Sequence, residues 1–220
     1  VTLYGIVDTG IGYQSSQVAT LGSTSGGHSA FKMVNGVWAG SRFGFKGGED
    51  LGGGTKAIFQ LEEGFNSSNG ALGVSGLMFN RQAYVGVTNA TYGSFTAGRQ
   101  YTPYYLLLSP YSPTTWLTGA YGAHPGDLDS LDTLYRANNS LVYTSPSLYG
   151  LTASVSYSLG GVAGSTNAGS TYSAALQYLH GPFGIAAGFQ RVNNSTSGGG
   201  AWGANSTMSN NGAQPGVSAV

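Results

Sequence analysis

The segment Ser41–Asn66, SRFGFKGGEDLGGGTKAIFQLEEGFN, constrains the fold more than any other part of the chain. It is two alternating runs of about ten residues, joined by a Gly-rich reversal at Leu51–Gly54. In the first run Phe43, Phe45 and Gly47 share one face, and Arg42, Gly44, Lys46 and Gly48 share the other. In the second, Ala57, Phe59, Leu61 and Phe65 oppose Lys56, Gln60, Glu62 and Asn66. A period of two with an apolar and a polar side marks a strand lying between two different environments. Runs of this length exceed the common strand of about five or six residues and approach what a tilted strand needs to cross a bilayer. The pattern predicts a β-hairpin with its outer face in lipid and its inner face in water.

The same pattern recurs along the chain and predicts strands at 2–14, 41–50, 55–66, 79–88, 94–100, 139–145, 150–158, 171–180 and 183–191. In the first, Leu3, Val7, Ile11 and Tyr13 oppose Tyr4, Asp8, Gly10 and Gly12. Residues 15–38 are too rich in Ser and Gly for a confident element and are expected to be a loop. Short turns at 50–54, 89–93, 146–149 and 181–183 alternate with long loops at 15–38, 67–78, 101–136, 159–170 and from 192 onward. Short turns at one end and long loops at the other suit a membrane barrel, whereas a soluble sandwich has no reason to segregate them. The expected fold is an all-β transmembrane antiparallel barrel. Residues 1–191 form its wall, 101–136 a long loop rich in Pro and aromatics, and 192–220 a loop or disordered tail.

Composition excludes several classes. Charged residues make up only 7% of the 220, and 38 are Gly, without a Gly-X-Y period. The 8 basic and 8 acidic residues cancel, so nothing suggests a nucleic-acid surface. The chain has no Cys, which removes disulfides and thiolate sites. No apolar run is long enough for a helical span. Val1 opens directly in strand pattern, as expected of a processed mature chain. His28, His124 and His180 are scattered without metal-ligand spacing, LGGGT lacks the Lys-Ser/Thr of a phosphate loop, and no nucleophile is organised near His124 and Asp127. Neither an enzyme nor a cofactor or metal is expected.

Three blocks in order, VTLYGIVDTGIGY, SRFGFKGGEDLGGGTKAIFQLEEGFN and MFNRQAYVGVTNATYGSFTAGRQY, closely resemble the general diffusion porins of Gram-negative outer membranes, nearest to the beta-proteobacterial branch. The resemblance implies a homotrimer of sixteen-stranded barrels in contact with outer-membrane lipids and lipopolysaccharide. About nine of those strands are present here, so the barrel is expected to be incomplete in this chain. It further implies that the long loop 101–136 folds inward to form a constriction between a basic wall and an acidic loop. Arg42 matches a wall arginine of the family and is also placed on the polar face by alternation; Arg81 and Arg136 come from the match. Strict alternation conflicts with an inward Arg81, because it would turn Ala83 and Val85 inward as well. Lys46 shares the face of Arg42, and Asp8 and Glu62 fit the same lumen side. Asp127, Asp129 and Asp132, the acids of the long loop, are the acidic candidates for the constriction, although ordinary loop solvation serves each equally well. Glu63 falls on the lipid side. Arg99 shares the apolar face of its strand with Phe95 and Ala97, and is expected to meet a neighbouring subunit at its second loop. Tyr13, Tyr157, Tyr172 and Tyr178 are expected at the membrane interface.

Two functions follow from different premises. The first is a passive diffusion channel for small hydrophilic solutes and ions. The second is a non-conducting outer-membrane structural or surface-binding protein formed by a truncated barrel. A soluble sandwich is the remaining alternative, separable by detergent dependence.

Overall fold

The computed structural model describes residues 1–17, 27–112, 131 and 136–193. Eleven strands are found among them: β1 (Thr2–Ile6), β2 (Thr9–Gln17), β3 (His28–Asn35), β4 (Arg42–Gly52), β5 (Thr55–Gly64), β6 (Gln82–Asn89), β7 (Gly93–Tyr101), β8 (Arg136–Thr144), β9 (Leu151–Ser158), β10 (Thr171–His180) and β11 (Phe183–Val192). Nine form one antiparallel sheet in the order β1-β4-β5-β6-β7-β8-β9-β10-β11, while β2 and β3 pair separately. One helix, α1 (Pro103–Leu108), follows β7 and runs into a short 3-10 turn at Ser109–Tyr111.

The register carries the alternation across the whole sheet. One continuous row reads Thr2, Lys46, Gln60, Tyr84, Gly98, Ser140, Ser158 and Thr171. A row on the opposite face reads Gly47, Phe59, Val85, Ala97, Leu141, Tyr157 and Tyr172. Exposure is inverted relative to a soluble domain. Val85, Phe95, Val155, Leu176, Ile185 and Phe189 are exposed, whereas Ser140, Ser154, Ser158, Thr171 and Ser173 are buried. A contiguous apolar face of this extent is stable only against lipid or another protein. The tyrosines fit a membrane boundary: the Tyr157 and Tyr172 rings lie 4.9 Å apart on the apolar face. Their hydroxyls donate to the Thr166 carbonyl and the Asn167 side chain at the rim.

Among the described residues the sheet is open, with β1 and β11 as its edges. Nine antiparallel neighbours leave those two edge strands running in the same direction. Closure as an antiparallel barrel therefore requires an odd number of strands between them; direct β1–β11 pairing, within one chain or between two copies around a common axis, would be parallel.

Two expectations are corrected. The predicted strand 2–14 is interrupted, and the predicted loop 15–38 contains β3, whose His28–Asn35 carries Phe31 and Met33 in alternation with Lys32. The cause is a mismatch in chain length. Ile6 pairs with Arg42 and Thr9 with Asn35, so residues 36–41 stand opposite residues 7 and 8, far more than a bulge absorbs. Asp8 stitches the break. Its carboxylate accepts the N–H groups of Trp38 and Ala39, both at 2.7 Å, its carbonyl accepts Gly36 N–H, and its N–H donates to Ser41 Oγ. The amides of Ala39 and Trp38 hold the Asp8 carboxyl below its ordinary value of 3.8. That contribution is complete above the unfolded-state pKa and is lost as pH falls through the lower folded-state value. Pepsin cleavage within residues 36–41 should accordingly rise as pH drops from about 4 to about 2, with Asp8→Ala already cleaved at the upper end. A cleavage rate at this segment that is the same in both proteins would contradict the role of Asp8.

The tract 101–136, read as loop from the sequence, begins with a helix. Thr102 caps α1, its side chain accepting Tyr105 N–H, and Pro103 occupies the first turn, where a missing N–H costs nothing. The helix packs on β10 and β11. Tyr104 N–H donates to Ser173 Oγ at 2.9 Å, and Gln177 donates to the Leu107 carbonyl at 3.3 Å. Ser173 and Gln177 lie on the polar face of β10, and a side chain at Gly188 would strike Leu108 and Tyr104. The small residues of this face make room for the helix.

Candidate functional site: a basic cluster on the polar face

Arg42 opens β4 on the face shared with Gly44 and Lys46, paired with Ile6 and Gly64. Lys46 lies lower on that face, its ammonium 5.2 Å from the centroid of the Tyr4 ring. Arg81 precedes β6 instead of lying within it, so alternation does not govern its side chain. Phe79, with φ 59°, and the Arg81 N–H bond to the Glu62 carbonyl swing the chain over the end of β5. This geometry removes the conflict raised by strict alternation.

Glu62 is the carboxylate around which the cluster is built. Arg81 Nε donates to its Oε1 at 2.6 Å, and Tyr4 donates to its Oε2 at 2.8 Å. Gln60 donates to the Tyr4 oxygen and accepts from Tyr84, extending the network along the wall. Tyr101, at the end of β7, accepts from Arg81 at 3.1 Å and from Arg136 at 2.8 Å. The Arg136 guanidinium also lies over the Tyr101 ring, 4.7 Å from its centroid. Two of the three family-matched arginines, Arg81 and Arg136, thus share one phenol, and Arg42 projects from the polar face of β4, which β5 separates from β6.

Arg99 follows the apolar row Leu3, Phe45, Leu61 and Ala83, yet it is only 8% exposed. Its Nε donates to the Asn80 carbonyl and an Nη to Asn138 Oδ1, both at 2.6 Å and both within the chain. Glu63, also on the apolar side, is buried: its carboxylate accepts the backbone and side-chain N–H groups of Asn80. Asn80 is therefore held on both sides, which fixes the next residue, Arg81. A cavity of about 280 Å³ opens here, lined by Ser41, Gly64, Asn80, Arg81, Arg99 and Arg136 among others.

The remaining candidates separate. The Asp8 carboxylate is committed to backbone amides. Asp127, Asp129 and Asp132 lie outside the described residues, as does His124. Among the described residues no three His, Asp or Glu side chains converge to hold a metal ion. Tyr101, Asn80 and the link from Tyr4 to Glu62 were not singled out from sequence. Tyr4 stood on the polar face by alternation, but no spacing rule joins it to a carboxylate 58 residues away.

Comparison with known proteins agrees with this architecture. The chain is 34% identical over 218 residues to an outer membrane porin protein of Bordetella pertussis, covering 90% of this chain and 55% of that one. It is 32% identical over 165 residues to outer membrane porin protein 32 of Delftia acidovorans, covering 71% of this chain and 43% of the relative. The solved anion-selective porin from Comamonas acidovorans superposes with a TM-score of 0.71 at 28% identity, over 87% of this chain and 57% of that one. Salmonella typhi OmpF, at 19% identity and a TM-score of 0.58 over 88% of this chain and 54% of that one, shares the fold. The chain spans about half the length of the curated relatives it matches. The inverted exposure, the open antiparallel sheet and a family match over residues 1–219 converge: this chain belongs to the Gram-negative porins, β-barrel proteins of the outer membrane.

Proposed function

We propose that this chain forms a wall of an outer-membrane porin and does not by itself enclose a conducting pore. The open sheet carries this reading, because edges β1 and β11 run the same way and cannot complete an antiparallel ladder with each other. The 220-residue chain added to planar bilayers should give no discrete conductance steps. Stable steps of uniform size would overturn the proposal.

A second reading is supported by the polar face: within a barrel completed by further strands, the chain serves a passive diffusion channel for small hydrophilic solutes and ions. Arg42, Arg81 and Arg136 would form the basic wall, with Lys46 below them, and α1 on the same face supports an inward course for the long loop 101–136. Asp127, Asp129 and Asp132 are the proposed opposing acids. Homotrimeric assembly, with Arg99 near the contact, and lipopolysaccharide as surrounding lipid belong to the same reading. The anion-selective character of the Comamonas porin supports a preference for anions here. In a completed, conducting barrel, neutralising Arg42, Arg81 and Arg136 together should shift the reversal potential under a salt gradient toward cation preference. An unchanged potential would remove these residues from the permeation path.

A further inference from the structure

We propose that Tyr101 is a positioning residue: it fixes the separation of Arg81 and Arg136 and couples that separation to the root of the long loop. This rests on the reading of the polar face as a channel wall. A phenol oxygen offers two acceptor positions. In Tyr101 they receive guanidinium donors from two different elements, Arg81 ahead of β6 and Arg136 at the start of β8. Two guanidiniums drawn to one point repel each other, and a shared acceptor with a further face contact offsets that cost. The acceptor is a neutral hydroxyl, so it holds the cations in place without cancelling their charge, unlike the Glu62 carboxylate on Arg81.

The same side chain reaches the loop. Tyr101 is followed directly by Thr102, the cap of α1, and the Tyr101 and Tyr105 rings stack with centroids 4.9 Å apart and planes 24° apart. Because α1 lies on β10 and β11, a shift of the helix across that face would drag the Tyr101 ring and with it the point where the two arginines meet. The basic wall and the loop root therefore move as one unit. In a pore, the width at the loop and the spacing of the charges facing it could not vary independently.

The test uses the folded 220-residue chain in detergent and needs no conductance, so its failure is distinct from failure of the channel reading. Tyr101→Phe keeps the ring stack and removes the shared acceptor. Phenylglyoxal labelling followed by peptide mass spectrometry should show Arg81 and Arg136 reacting roughly tenfold faster, the population change that loss of one hydrogen bond to a charged group produces. Arg191, on an exposed strand, should react as before. Tyr105→Phe keeps both Tyr101 bonds and should label like the unsubstituted chain. Unchanged labelling of both arginines in Tyr101→Phe overturns the proposal, as does an equal rise in Tyr105→Phe, which would mark general loosening. Should Tyr101→Phe not fold, the reciprocal measurement serves: in Arg136→Gln, nitration of Tyr101 should accelerate by a similar factor, and an unaltered rate overturns the assignment.

Discussion

Replacing Glu62 with glutamine will lower the stability of the folded sheet by about 3 kcal/mol, the scale on which one partner of a buried ion pair is missed. Glu62 is 7% exposed, with Arg81 at 2.6 Å on one carboxylate oxygen and the Tyr4 hydroxyl at 2.8 Å on the other. Glutamine preserves the shape but substitutes an N–H₂ for one of those two acceptors. Arg81 then loses its only counter-charge among the described ion pairs, and either it or Tyr4 faces another donor. Denaturant unfolding in micelles, followed by tryptophan fluorescence, measures the loss. The double variant Glu62→Gln/Arg81→Gln removes the stranded charge and should recover more than half of it. Additive losses would mean that the two side chains are not coupled, and a loss below about 1 kcal/mol would mean that water already solvates the pair.

Gly98→Ala is the second large effect, with an expected cost of about 3–5 kcal/mol from a forbidden backbone region and a backbone clash together. Gly98 has a φ of 137°. A Cβ there would meet the Ala83 carbonyl oxygen of β6 and lie 2.8 Å from the Tyr84 Cα, neither of which can move without breaking the β6–β7 ladder. The position also matters for the basic cluster. The register slips between Gly98 paired with Ser140 and Gln100 paired with Ala137, and the extra residue on β8 leaves Asn139 at φ 53° and Asn138 in reach of Arg99. Relaxing this bulge would displace Arg136 relative to Tyr101. Gly52→Ala is the control: its φ is 84°, but open space surrounds it, and about 1 kcal/mol is expected. Equal costs at the two positions would show that φ alone, and not the approach of β6, makes Gly98 necessary.

Alternation was legible because its cause is local: successive Cβ atoms of a strand point to opposite faces whatever the strand pairs with. The faces of Phe45, Lys46, Gln60 and Leu61 could be read from spacing alone, and the ladder realises them. The same rule failed where it did not apply. Arg81 stands before its strand, and residues 7–8 sit in a break created by the surplus length of residues 36–41, so neither position has a face. A helix was foreshadowed by Thr102-Pro103, a cap followed by a first-turn proline, but the aromatic content of the tract masked it. The Asn80 contacts that cover Arg99 and Glu63 could not be read from the sequence. Both obey the apolar-face alternation, and both are covered by Asn80, which lies 17 and 19 residues away along the chain.

The sequence by itself determined that the chain is a sheet with one lipid-type and one water-type face, and the alternation of side chains within its regular hairpin strands, because side-chain period and composition are properties of the covalent chain. Only the tertiary structure decided which polar-face residues meet. Glu62, Arg81, Tyr101 and Arg136 come from four segments, and their convergence depends on the β8 bulge at Asn138–Asn139, a clamp on Asn80 and the helix that starts at Pro103. Those are long-range contacts closed by strand register, and register is fixed by the sum of all the pairings in the sheet instead of by any one segment.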